Sequence, residues 1–225
     1  MKQQQAPAAL PVVRGELALA VVVAINSFGV VLMLHSGAGI SAISSVPYAF
    51  SAVFPAVSLG TWTYLFQALL IASLMLLRRK LVPSYLFSFA VGFVFSRLLD
   101  FYESWVYDVL PAPLGLRVAY FFASYFLMCL GIALSNRCGL PIIPTDLFPR
   151  ELSAITGWPY ARVKITFDVA CLATTALVTL AGLGRLDGLG IGTVAAAFTM
   201  GKTISLIGAW LDRRVRFQSC LQKAA

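Results

Sequence analysis

The sequence predicts an all-α polytopic membrane bundle of six transmembrane helices, built as two inverted three-helix repeats with re-entrant or broken segments between spans. Three observations predict it. Of 225 residues, 60% are hydrophobic and 12% charged, and the charged share is about half that of an ordinary soluble domain. Apolar stretches of about twenty residues carry one charge or none, enough for a helix to cross hydrocarbon, and they lack the alternation of barrel strands. The chain also matches itself at a fixed offset.

Taken in order, residues 1–13 read as a disordered tail rich in glutamine and proline. Residues 17–34 form the first span, too long for a leader and followed by no small-residue cleavage site. Residues 36–60 contain no charge yet are broken by Gly37, Gly39, Pro47 and Pro55. Irregular backbone this apolar is tolerated at membrane depth only under cover of protein or water, so the segment reads as re-entrant. Residues 61–77 and 82–99 are the second and third spans, the latter interrupted by Arg97. After the fourth span, 118–134, the loop 139–160 carries Asp146, Arg150 and Glu151 and reads as an amphipathic helix on the interface. Spans at 165–183 and 189–211 complete the membrane domain, taken as 14–216, and 217–225 form a second tail.

Orientation follows from charge. With the N-terminus inside, thirteen of the 17 basic residues fall on the cytoplasmic side, and only Arg117 and Arg185 lie in outer loops. The positive-inside rule therefore predicts a cytoplasmic N- and C-terminus. Trp62, Tyr64, Trp105, Trp158 and Trp210 fall near the expected boundaries, where aromatic belts form. The net charge of +8 then reads as topology signal against an anionic leaflet, not as a nucleic-acid surface.

At an offset of 102, Gly29 matches Gly131, Leu32 matches Leu134, Gly37 matches Gly139, Pro47 matches Pro149 and Ser51 matches Ser153. One gap then pairs Phe66 with Phe167 and Gln67 with Asp168. A unit with three spans, repeated once, must be inverted in the membrane, and inverted repeats are a transporter signature.

Gly37-Ala38-Gly39-Ile40-Ser41, Leu59-Gly60-Thr61-Trp62, Asp168 and Gly188-Leu189-Gly190-Ile191-Gly192-Thr193 together resemble the bacterial YitT/YczE-type integral membrane proteins. The resemblance covers nearly the whole chain. In that family a Gly-x-Ser-Pro segment usually follows the first span; here Ala42 follows Ser41, while Pro144-Thr145-Asp146 looks like the matching element of the second half. The resemblance implies a bacterial inner-membrane protein and no particular activity.

Charges inside spans are the first candidates for chemistry, since each costs about 3 kcal/mol at a helix centre. Asp168 and Lys202 differ in expected depth by about the reach of a lysine stem and read as a pair, either as a substrate or proton site or as a structural bridge. The alternative is Asp168 with Lys164, one turn earlier. Gly37, Ser41 and Asp146 in the broken segments and Gln67 in the second span are further substrate-binding candidates. Arg97 with Asp100 reads as an interfacial pair and Asn26 as an interhelical hydrogen-bonding residue. Gly188, Gly192 and Ala196 read as a small-residue packing face. The single His35 and four scattered cysteines offer no metal site, no cofactor motif is present, and no nucleophile or acid–base pair points to an enzyme.

The expected function is a transporter or permease-like protein for a small solute. A membrane subunit that captures solute for a multi-component importer, or a non-transporting accessory protein, are the alternatives. The expected partners are the lipid bilayer, a small solute, and a second copy or a partner subunit.

Overall fold

The computed structural model describes residues 11–219. Strand β1 (Val12–Arg14) leads into α1 (Gly15–His35), short helix α2 (Ala42–Val53), α3 (Leu59–Arg78) and α4 (Pro83–Val109). The same order returns as α5 (Leu114–Ser135), short helix α6 (Pro144–Thr156), α7 (Tyr160–Leu183) and α8 (Ile191–Asp212), before strand β2 (Arg216–Gln218). All but α2 and α6 among these helices are long and apolar enough to cross a membrane, so the chain is a multi-pass membrane protein.

Packing repeats with the same symmetry as the order. α1 packs against α5 at the centre, α1 holds α4 as α5 holds α8, and each short helix crosses to the other half, α2 onto α7 and α6 onto α3. Exchanging the halves leaves this pattern unchanged, as a twofold relation requires. Three crossings per half make the relation an inverted one. At the α1–α5 contact the two matched glycines let the helices close. A β-carbon on Gly29 would lie 2.8 Å from Met128 Cγ, and one on Gly131 would collide with the Asn26 amide.

Both short helices are re-entrant. Ile43 and Val46 cluster with Cys171, midway along the 24-residue α7; the Ser45 hydroxyl meets that of Thr175 at 2.7 Å; and Val53 packs on Gly182. Hence α2 starts at mid-depth and runs out along α7. α6 does the same on the opposite face. Its Pro144 approaches Gly92 beside Gln67 in mid-α3, Leu147 packs with Ile71 and Leu74, and Glu151 reaches Arg78 at 2.6 Å. The interfacial helix expected for 139–160 is therefore corrected. Arg150 and Glu151 lie toward the rim while Asp146 is carried to the inner end, and the apolar 140–143 run that precedes α6 lets the backbone dip inward.

The leg that carries the chain from α1 to α2 is held by the start of α8. Ile40 N–H bonds Gly188 O at 3.1 Å and Gly192 N–H bonds Ala38 O at 3.0 Å. Gly39 (φ 108°) and Gly190 sit where the strands of backbone touch, and a β-carbon on either would strike the other segment. Of the residues read as a helix-packing face, Gly192 lies against both Phe121 of α5 and Ala38, Ala196 is buried in the core, and Gly188 makes room for the Tyr48 ring.

α4 extends ten residues beyond the expected span and stops before Pro111, where the residue preceding proline disfavours helix. Its extension brings Asp100 to the start of α3, where the carboxylate accepts from Gly60 N–H at 2.7 Å and Ser58 hydroxyl at 3.0 Å. β1 and β2 pair in parallel, Val13 opposite Phe217, drawing Val12 and Val13 out of the segment expected as tail. β2 likewise takes in Phe217 and Gln218 of the second expected tail, and residues 1–10 and 220–225 lie outside the described residues.

Candidate functional site: a cavity on the twofold axis

The leg before α2 and the leg before α6 bring the two short helices to mid-depth from opposite faces, and their N-termini share one small cavity. Its volume is about 30 Å³, room for about two water molecules. Ten of its thirteen lining residues form five pairs at the repeat offset of 102. Asn26 pairs with Met128 and Val30 with Ile132 on the central helices; Ser41 pairs with Ile143, Ile43 with Thr145 and Ser44 with Asp146 on the short ones. The cavity therefore lies on the axis that relates the halves. Phe95, Lys164 and Met200 complete it.

Matched prolines shape both short helices. Pro47 and Pro149 each lack the N–H that would bond the carbonyl four residues back, on Ile43 and Thr145, so the first turns that line the cavity are loosened alike.

Charge in the cavity is uneven. Asp146, 7% exposed, takes part in no ion pair among the described residues, and the hydrogen bond it accepts, from Asn26 Nδ2, is long at 3.4 Å. Lys164 lies beside it but is bound to both oxygens of Asp168, at 2.5 and 2.6 Å, with side chains 4% and 1% exposed. Taking two charges out of water is offset only when geometry is this close. The Asn26 Oδ1, which lies against Gly131, has no hydrogen-bond partner among the described residues.

Of the residues singled out from the sequence, Asn26, Ser41 and Asp146 line the cavity, and Asp168 is joined to it through Lys164. The pairing of Asp168 with Lys202 is corrected. Lys202 is exposed, on the α8 face shared with Phe198 and Leu206, and the partner of Asp168 is one turn away on its own helix. Gly37 is also elsewhere: it is exposed at the end of α1, near Arg117, where its φ of 71° turns the chain. Gln67 is fully buried between Gly92 and α6, outside the cavity lining, with neither amide atom partnered among the described residues. Arg97 stands 4.0 Å from Asp100 and is 70% exposed, while Asp100 caps α3. Ser44 and Thr145 are polar site residues that sequence reasoning passed over, and Lys164 entered it only as the alternative partner of Asp168. The offset of 102 from Asp146 and the four-residue spacing from Asp168 were the signals for Ser44 and Lys164.

A family model matches residues 13–209. The chain belongs to DUF6198, a family of unknown function. No curated protein and no solved structure matches it. The cavity of this DUF6198 member thus stands on its own geometry: a buried carboxylate, an ion pair, two helix N-termini and two loosened helical turns around a water-sized space on the symmetry axis.

Proposed function

We propose that this chain is a secondary transporter or permease for a small solute, acting in a bacterial inner membrane with both termini cytoplasmic. The observation that carries the reading is the position of the cavity, mid-depth and on the twofold axis, between re-entrant helices that reach it from opposite faces. Rocking one half against the other about such a point opens it to each side in turn, which is how inverted repeats produce alternating access. A size of about two waters fits the closed state of that cycle. The finer kinship with YitT/YczE-type proteins belongs to this proposal, supported by the Gly37–Ser41 leg and the 188–193 glycine run, which hold each other in the fold. No catalytic step is assigned.

The test is uptake by purified protein in liposomes offered a mixture of small metabolites, with the lumen analysed by mass spectrometry. Accumulation of at least one solute above protein-free liposomes is expected. Tight binding without accumulation would replace transport by solute capture for a separate energised complex. Neither binding nor uptake would leave the accessory role.

A further inference from the structure

The two short helices present opposite poles to the space they share. The N–H groups of Ala42, Ile43 and Ser44, in the first turn of α2, are taken by no acceptor among the described residues. Ser41, at the N-cap, donates its hydroxyl to Ser44 at 2.9 Å and accepts from none of them. Buried N–H groups are rarely left so, and here they carry the positive end of the helix dipole. α6 differs at two of the three matched positions, the Thr145 N–H being free like that of Ile43 among the described residues. Pro144, in place of Ala42, has no N–H; the Asp146 N–H returns to Ile143 O at 3.0 Å; and Asp146 stands where α2 has Ser44. α2 therefore offers donors and α6 offers a carboxylate.

Two further observations point to an occupant. Among the described residues Asp146 has no compensating ion pair, because both oxygens of Asp168 hold Lys164. Asp146, 7% exposed and lining the cavity, accepts on Oδ2 alone, from Asn26 Nδ2, and its Oδ1 accepts no hydrogen bond among the described residues; the Asn26 Oδ1 lies against Gly131. An anion alone would face the Asp146 carboxylate, and a cation alone would face the end of α2. A molecule with both charges satisfies both poles.

We propose that the cavity binds a small zwitterion, its ammonium held by Asp146 and its carboxylate by the free N–H groups of α2. This deepens the transporter reading and rests on it for the opening step, because a space of about two waters admits such a ligand only when α2 and α6 separate. The same tightness limits the ligand to the smallest members of the class.

The experiment is a thermal-unfolding screen of the detergent-solubilised full chain with glycine, L-alanine and β-alanine against acetate and methylammonium. Stabilisation by at least one zwitterion, exceeding that by acetate and methylammonium together, is expected. Asp146→Asn should weaken zwitterion binding by about tenfold or more and let acetate stabilise, since the carboxylate pole then acts alone. Ala42→Pro removes one α2 donor at a position where proline suits the first helical turn, and the extended Ser41 (φ −60°, ψ 144°) accommodates it. It should weaken binding about threefold to tenfold without admitting methylammonium. Wild-type protein stabilised equally by acetate or methylammonium, or by none of the panel, overturns the proposal. Zwitterion binding without liposome uptake would reject transport and keep the site. Uptake of an uncharged solute with no zwitterion binding would keep transport and reject the site.

Discussion

The halves of this molecule share a scaffold and differ in charge. At the station where each long helix passes the other half's short helix, α3 carries Thr63 and Gln67 and α7 carries Lys164 and Asp168, matched at an offset of 101 and each spaced by four. Thr63 returns its hydroxyl to Leu59 O at 2.8 Å, and Gln67 is buried with no side-chain partner among the described residues. Lys164 and Asp168 bind each other. The fold therefore accepts a neutral pair at this station, and the ion pair in the second half is not a requirement of the architecture.

The largest expected effect breaks that contrast directly. Lys164→Thr or Asp168→Gln alone strands a buried charge and should cost about 3–5 kcal/mol of stability. The double substitution imports the first half's version, and thermal unfolding in detergent should recover most of the loss. Singles and double equally unstable would mean that the charges are needed by the α7 side itself.

A smaller effect sharpens the comparison at the central crossing. Gly131→Ala drives a methyl group into the Asn26 amide, which also bonds Asp146, and should destabilise by about 2 kcal/mol. Gly29→Ala meets the side chain of Met128, whose flexible thioether can turn aside, and the gain in helix propensity offsets part of the strain. A shift within about 1 kcal/mol is expected there. Equal costs at the two positions would remove the distinction between a polar and an adaptable contact.

The smallest effect concerns Lys202. Its exposed side chain touches neither the cavity nor Asp168, so Lys202→Gln should leave stability within about 0.5 kcal/mol and leave any ligand shift unchanged. A loss as large as that of the Lys164 variant would restore it to the site.

The spans were legible because hydrocarbon thickness sets a length that composition reveals, and five of the six observed helices lie within a few residues of the expected windows. The end of α4 was not, since the polar residues Asp100, Glu103 and Asp108 fall outside an apolar window while remaining helical. The repeat was legible, and with it the correspondence of α2 and α6, but the identity of Ser44 and Asp146 as facing residues depends on a fold that brings the two ends together. Lys202 was misplaced because depth along a helix says nothing about azimuth. In a membrane helix both the packed face and the lipid face are apolar, so the period that marks a buried side in water loses its contrast. The four-residue step from Lys164 to Asp168 was present in the sequence and carried the right answer. β1 and β2 are three residues each and about two hundred positions apart, too short and too distant for any pattern to join them.

That small parallel ladder makes the chain nearly circular. Arg216 N–H bonds Pro11 O at 3.0 Å, so a short linker could join the described ends. Cutting the loop between α4 and α5, residues 110–113, would then create new ends on the opposite face of the bundle. Such a permuted chain would synthesise α5 through α8 before α1 through α4 and would begin on the other side of the membrane. Its insertion would separate two things that the natural chain keeps together: the order in which the halves emerge and the side to which their charges hold them.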